Sequence, residues 1–408
     1  METLSQVKPV LQNRTQTLRL IFGLLLTLVG IVILVRMIAI AVIFQEDYKT
    51  YYNAASNLLA GESVYASENY QTPFTAIFFV PLALLPAGLS SLVWAIISIF
   101  IYFWMIILVL RELDIQLTLD GKVLLTGLAL CWYPFFNHIF YGQLSIVIAG
   151  CVIGGWALLR RGKQLPAGLL IGLGAVLKLY PALLILYIIL RRQWKAALGF
   201  VLAGVMGMII SVIILGPQDV IFYFSDAMVN RILNYTAPNN VSIFGAFSRL
   251  FTGSRWIDPL VNAPWLYTLL TGLTVLAIII LLCRITLKHR EDAHSADLAY
   301  AFTIVSMLLI SPFTWQHAFP LLVLPFAVIV LSIAERSTPL LRQLTLIAVF
   351  LVSFPDRALY NLIMKPEQIQ AVPWYEALLL LAPTIGLFIL GWLLGDFQKN
   401  HLAKEVKP

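Results

Sequence analysis

Residues 20–44 form an apolar run broken only by Thr27 and Arg36. As a helix that run reaches roughly 37 Å, more than the roughly 30 Å of hydrocarbon in a bilayer. A water-facing fold has no place for it. The rest of the chain repeats the theme, because 60% of residues are hydrophobic and 12% charged, where a soluble surface needs roughly a quarter charged. Mean hydropathy is +0.89. The first run is too long for a signal-peptide core and no small-residue cleavage site follows it, so it is expected to be retained, with Arg14 and Arg19 on the cytosolic side.

Basic residues recur at intervals set by the apolar runs: Arg111, Arg160/Arg161/Lys163, Arg191/Arg192/Lys195, Arg284/Lys288/Arg290, Arg336/Arg342 and Lys399/Lys404. Placing each cluster inside the cell gives about twelve crossings, at 20–44, 89–110, 123–136, 144–159, 165–177, 179–190, 196–215, 263–283, 298–310, 319–334, 344–354 and 374–394, with both termini cytosolic. The expected fold is therefore all-α and polytopic, one integral membrane domain over 1–408 in a cell membrane. Polar stretches at 45–72, 216–262 and 355–373 all fall outside, which puts the specialised chemistry on the extracytoplasmic face. Residues 75–85, cut by Pro81 and Pro86, read as a re-entrant piece. The net charge of +7 is explained by this topology, and a nucleic-acid partner is not expected. Cys131, Cys151 and Cys283 lie in separate apolar runs without CxxC spacing, so neither a disulfide nor a zinc site is expected.

No phosphate-cradling glycine loop, GxSxG elbow or HExxH pair is present, so ATP-driven transport and nucleotide-sugar donors are disfavoured. The remaining chemical material is polar residues on the outer side. In 45–61, Tyr48, Tyr51, Tyr52, Ala55, Leu58 and Leu59 follow helical spacing opposite Lys49, Thr50, Asn53, Ser56 and Asn57. That predicts an amphipathic helix along the membrane interface, capped by Gly61. Asp47 at its start suits an N-cap, yet Glu46 and Asp47 together are more acid than a cap needs. Both flanks of 165–190 are basic while each apolar half is only about 12 residues, so the chain must enter and return with Lys178-Leu179-Tyr180-Pro181 at the tip. The rival, one long helix, would put Arg191, Arg192 and Lys195 outside. The Lys178 ammonium is either held deep or snorkels from a helix end.

An acid at the end of the first span, then Tyr51-Tyr52-x-Ala-Ala, Leu58-x-x-Gly61-x-x-x-Tyr65, Tyr70, Pro73 and Pro81-Leu-Ala-Leu-Leu-Pro86 follow in order. Gly142-Gln143, Ala167-Gly168-x-x-x-Gly172 leading to Lys178-Leu-Tyr-Pro181, Asn240-Val-Ser242 with Arg249, and Ser311-Pro-Phe-Thr-Trp315-Gln-His317 complete the series. This order resembles glycosyltransferase family 87, the polyprenyl-phosphate-mannose-dependent enzymes of the GT-C fold. Thr72-Pro73-Phe74 departs from the Tyr-Pro-Pro more usual there.

The resemblance implies transfer of a sugar, mannose first and arabinofuranose second, from a polyprenyl-phosphate donor to a glycolipid or glycan acceptor. The reaction would be a single displacement with inversion. Asp47 or Glu46 would be the catalytic base, and Lys178, Arg249 and His317 would bind the donor phosphate. Tyr51, Tyr52, His138, Gln143, Tyr180, Asn240 and Trp315 would be candidates for substrate contact. No cofactor is required, though a divalent metal is compatible with the paired acids. Arg231, Arg249, Arg255, Arg357 and Lys365 run against the positive-inside bias and suggest an anionic ligand, against the alternative that they are solvated loop charges. His317 is either a phosphate or sugar partner or merely structural, and Arg36 either a cavity charge or a snorkelling one. The competing class is a secondary transporter or lipid-sugar flippase, which would also use broken helices and intramembrane charge, but no second copy of the 165–190 pattern appears.

Overall fold

The computed structural model describes residues 2–44, 47–67, 69–229, 236–254, 256–288, 292–355 and 371–405. Glu46, Arg231, Arg255, Arg357 and Lys365 lie outside the described residues.

The molecule is a helical bundle. Its elements are α1 (Glu2–Phe44), α2 (Tyr48–Leu59), α3 (Pro73–Ala83), α4 (Ala87–Glu112), α5 (Leu119–Cys131), α6 (Tyr133–Tyr141), α7 (Ser145–Arg160), α8 (Gln164–Leu177), α9 (Leu184–Leu190), α10 (Trp194–Leu215) and α11 (Pro217–Phe222). They continue with α12 (Ile243–Phe251), α13 (Pro264–Leu287), α14 (Ala293–Ile310), α15 (Val323–Glu335), α16 (Pro339–Ser353) and α17 (Ala382–Glu405). Short 3₁₀ turns at Tyr180–Leu183, Gln316–Leu322 and Glu376–Leu381 lead into α9, α15 and α17. Two-residue strands at Ile257–Asp258 and Val372–Pro373 pair in parallel.

Among the described residues, seven helices are long and apolar enough to cross a membrane, or eight if the pair α5–α6, bent by 47° at Trp132, counts as one span. Five shorter apolar helices, 73–83, 145–160, 164–177, 180–190 and 339–353, fill out the bundle. Every run expected to cross thus has a helix, but only the longer ones reach bilayer thickness by themselves.

Glycines set the closest helix contacts, as expected where packing rather than hydrophobicity drives association. A Cβ on Gly168 would collide with the Ala196 carbonyl, one on Gly172 would lie 2.7 Å from Ala203 Cβ, and one on Gly207 2.5 Å from Val176 Cγ1. Contacts that advance together along both helices make α8 and α10 parallel. The 3₁₀ turn and α9 must therefore carry the chain back between them, which is the in-and-return path read from the basic flanks.

One end of the bundle is charged. Arg160 pairs with Asp297, which also accepts from Trp156 Nε1 at 2.9 Å, and Arg161 pairs with Glu112. Arg191 Nη1 donates to the Lys288 carbonyl at 3.5 Å, and Arg336 pairs with Asp396 at 3.3 Å. The other end carries Asp47, Gln143, Lys178 and His317.

Helix α2 forms where its spacing predicts. Gly61 (φ 76°) ends it, with Glu62 N donating to the Asn57 carbonyl at 2.9 Å and Gly61 N to Leu58 at 3.1 Å, the paired bonds of a glycine-terminated helix. Its apolar face differs from expectation. Tyr48, Tyr51, Ala54 and Ala55 are buried against protein, while Leu59 is exposed. Helical amphipathicity specifies an apolar partner but not whether that partner is lipid or a neighbouring helix.

Candidate active site

Asp47 directly precedes α2, with helical backbone angles (φ −74°, ψ −18°), and its side chain makes no capping hydrogen bond to the helix. Gln143 Nε2 donates to its Oδ2 instead, and Gln143 Oε1 accepts from the Tyr51 hydroxyl at 2.8 Å. Gln143 is buried. The amide is held because Gly142 takes the left-handed conformation (φ 63°) that ends α6, while its carbonyl accepts from Trp94 Nε1 at 3.0 Å. A Cβ at Gly142 would lie 2.7 Å from Tyr48 Cβ, so α2 sits directly on this turn. Tyr48 adds a 2.5 Å bond to Ser90, and Tyr51 stacks on Phe79 at 4.8 Å between centroids. Burial pushes the Tyr48 phenol up to about 12, so it stays a neutral partner of Ser90 at neutral pH. The Gly142-Gln143 motif therefore orients an acid from a loop nearly a hundred residues away.

Helix α7 starts two residues later at Ser145, whose Oγ lies 3.0 Å from His317 Nδ1. Tyr141 and Trp315 both flank that imidazole edge-on, at 6.2 and 5.6 Å, and the buried Trp315 Nε1 has no partner. His138 is fully buried, with Nε2 3.3 Å from Ser98 Oγ, its Nδ1 unpartnered, and Lys178 within electrostatic reach. Tyr52 turns away from this group and donates to the Leu85 carbonyl at 2.9 Å.

Lys178 is extended (φ −158°, ψ 130°) at the end of α8. A helix leaves its last carbonyls without intrahelical donors. Two threonines supply them: Thr72 Oγ1 lies 2.7 Å from the Val176 carbonyl, and Thr75 Oγ1 donates to Leu177 at 2.8 Å. This gives Thr72, where the chain departs from Tyr-Pro-Pro, a physical role in holding the break open. Lys178 Nζ lies 6.0 Å from the centre of the Tyr180 ring. The buried Tyr180 hydroxyl faces Ser145 and Tyr51. Lys178, Tyr180, Thr72 and Tyr70 line a cavity of about 280 Å³ closed by Tyr223, Ser311 and Pro312. Asp47, Gln143 and His317 are not in its wall. They sit behind Tyr180, on the side of Ser145 and Tyr51.

Asn240 and Arg249 build that wall from behind. Asn240 Nδ2 donates to the Pro312 carbonyl at 2.8 Å, and its Oδ1 accepts from Ser242 N at 3.1 Å and Thr314 N at 3.2 Å. Ser242 caps α12 through Gly245 N. Arg249, 2% exposed, donates from Nη1 to the Pro238 and Asn240 carbonyls at 2.8 and 2.9 Å and from Nη2 to Leu380 at 3.4 Å. Both Nη atoms thus meet peptide carbonyls while the buried Nε has no partner, a geometry that suits bracing the Asn240–Pro312 wall. Burial pulls its pKa down to about 9. We expect Arg249→Ala to cost about 2–4 kcal/mol of stability, from carbonyls left buried without donors, with donor affinity of the folded fraction little changed. Normal melting with donor affinity lost would instead restore direct phosphate contact.

Ser145, Thr75 and Tyr141 were not singled out in the sequence, and Thr72 stood out only as a departure from a motif. The available signal was the adjacency of Ser145 to Gly142-Gln143, and of Thr72 and Thr75 to Pro73. Asp219 also ties the loop after α2 to the start of α11, accepting from Ser63 Oγ at 2.6 Å and Val64 N at 3.0 Å. Arg36 is exposed on α1. Among the described residues no three His, Cys, Asp or Glu side chains gather as a metal site would require.

The profile of glycosyltransferase family 87 matches residues 70–312. The chain belongs to that family. The match includes His138, Gln143, Lys178, Tyr180, Asn240 and Arg249, whereas Asp47, Tyr51, Trp315 and His317 lie outside it. A Mycolicibacterium smegmatis polyprenol-phosphate-mannose-dependent alpha-(1-2)-phosphatidylinositol pentamannoside mannosyltransferase is 29% identical over 254 residues, 60% of this chain and 57% of the relative. A Mycobacterium tuberculosis protein of the same name is 26% identical over 335 residues, 79% of this chain and 72% of the relative. A second M. tuberculosis protein, a polyprenol-phosphate-mannose-dependent alpha-(1-2)-phosphatidylinositol mannoside mannosyltransferase, is 27% identical over 323 residues, 74% of this chain and 71% of the relative. The matched part is thus under three fifths of the first relative's length. No solved structure matches.

Proposed function

We propose that this chain is a GT-C membrane mannosyltransferase that takes mannose from polyprenyl phosphate and passes it to a lipid-linked or glycan acceptor on the extracytoplasmic face. Family membership and the names of the relatives support the donor. The positions of the basic clusters support the face, since the charged end is opposite the Asp47–Lys178 end and basic ends stay in the cytosol. The expected twelve crossings and cytosolic termini belong to this reading.

One observation carries the mechanism: the Asp47 carboxylate does not cap α2 but is aimed by Gln143, across Tyr180 from the Lys178 cavity. Asp47 takes the proton from the acceptor hydroxyl, whose oxygen forms the new bond to the anomeric carbon. The bond from that carbon to the phosphate oxygen breaks with its electron pair, and polyprenyl phosphate leaves. The Lys178 ammonium opposes the charge that grows on the departing phosphate. His317, held by Ser145 through Nδ1, is a further polar partner for the phosphate or the sugar. Attack opposite the leaving group inverts the centre, from a β-linked donor to an α-mannoside. Tyr141, Trp315 and the Tyr180 hydroxyl are placed for the sugar. Arg249 and Asn240 act as positioning residues. No step requires a metal.

The test is to incubate the purified protein with radiolabelled polyprenyl-phosphate mannose and membrane lipid extracts. Label is expected to move into a glycolipid. Label retained wholly on polyprenol, with donor nonetheless carried across a proteoliposome membrane, would favour the transporter reading.

A further inference from the structure

A second, larger cavity lies between α13, α14 and α17, with its polar rim at the charged end of the bundle. Its volume is about 720 Å³, within the range of sites for drug-sized ligands. Its walls are apolar, with Ile278, Leu281, Phe302, Leu309, Phe388 and Trp392, and several of these side chains open to the bilayer side. Its rim at the charged end carries Arg284, Lys288 and Lys399, all exposed. The acid at that rim, Asp396, is paired with Arg336. Along α13 the lining extends from Thr274 to Lys288, roughly 21 Å of helix. That is about the depth of one leaflet with its headgroup region, because half the hydrocarbon core is roughly 15 Å.

Positive-inside topology alone accounts for three cations at a helix end, but not for the apolar groove they rim. A second feature points to a ligand. Gln398 lines the cavity at 1% exposure. Its Nε2 donates to Ser295 Oγ at 2.6 Å and the Ile285 carbonyl at 3.3 Å, while its Oε1 is buried with no partner. A buried amide oxygen without a donor is costly, and a hydroxyl beside a bound phosphate would satisfy it.

We propose that this groove holds one phospholipid with an anionic, hydroxyl-bearing headgroup, its phosphate among Arg284, Lys288 and Lys399 and one acyl chain against Ile278, Phe302 and Leu309. The site is separate from donor and acceptor binding and does not depend on the mannosyltransferase reading. The headgroup comes from the leaflet at the charged end of the bundle.

Native mass spectrometry of the full chain in detergent, with phosphatidylglycerol and phosphatidylcholine supplied equally, tests it. The wild type is expected to retain one phosphatidylglycerol in preference to phosphatidylcholine. The triple variant Arg284→Gln/Lys288→Gln/Lys399→Gln is expected to lose that preference, with phosphatidylglycerol affinity falling roughly a hundredfold. Gly391→Leu, which places a side chain into the groove, is expected to weaken both lipids. Glycerol 3-phosphate is expected not to compete, because it lacks the acyl chains. Equal retention of the two lipids by the wild type, or competition by glycerol 3-phosphate as effective as by the lipid, would overturn the proposal. So would phosphatidylglycerol binding unchanged in both variants.

Discussion

Asp47→Asn is expected to fold, bind the polyprenyl-phosphate donor and lose transfer by roughly 10²-fold or more, the usual contribution of a positioned base. Asparagine matches aspartate in shape and still offers an oxygen to Gln143 Nε2, so the link seen between them survives the change. What disappears is the ability to accept a proton at neutral pH. Because Asp47 makes no capping bond to α2, the substitution should leave the melting temperature close to wild type, and a fall in turnover cannot then be ascribed to a frayed helix. Single-turnover rates with saturating donor make the comparison. Glu46→Gln is the companion. If Glu46→Gln is inactive while Asp47→Asn turns over normally, the base is Glu46 and the mechanism stands. If both are fully active, the first outer loop is not catalytic.

The second large effect is expected at Lys178. Lys178→Met keeps the length and apolar stem of the side chain and removes only the ammonium. Loss of charge-assisted bonds to a phosphate costs about 1.5–3 kcal/mol, so kcat/KM for donor should fall roughly ten- to a hundredfold. Folding should be preserved, since the break at 178 is held by Thr72 and Thr75 acting on the α8 carbonyls rather than by the lysine. Lys178→Arg should recover part of the loss through its retained charge, though its planar fork does not reproduce a point charge. Unchanged donor kinetics in Lys178→Met would remove the phosphate from this cavity.

Much of the fold could be read from the sequence because membrane insertion imposes one-dimensional rules. Apolar runs mark helices, and basic flanks mark one end. The return of the chain after Lys178 followed from those rules alone, and the parallel contact of α8 with α10 agrees with it. The span lengths were less accessible, since short apolar helices such as 164–177 and 339–353 need neighbours to fill the membrane depth.

The candidate residues could be named from the sequence, but their arrangement could not. Cap and base look identical at Asp47 until Gln143 is seen, and that partner is supplied by a turn after α6. A loop arginine has the same appearance in sequence whether its fork meets phosphate or carbonyls, and Arg249 meets carbonyls. The pattern of α2 placed Tyr48, Tyr51 and Ala55 on a covered face, and protein covers them, while Leu59 of the same expected face is exposed. Thr72 looked like a departure from a motif because its partners, the ends of α8, are about a hundred residues distant.

The most direct measurement is the anomeric configuration of the product formed from synthetic β-linked polyprenyl-phosphate mannose by purified wild-type protein, read from the one-bond carbon–hydrogen coupling at the anomeric centre. Base-assisted displacement at Asp47 requires an α-mannoside, formed by the wild type and reduced at least about a hundredfold in rate in Asp47→Asn. A β-mannoside, or an α-mannoside formed equally fast by both proteins, would contradict the account.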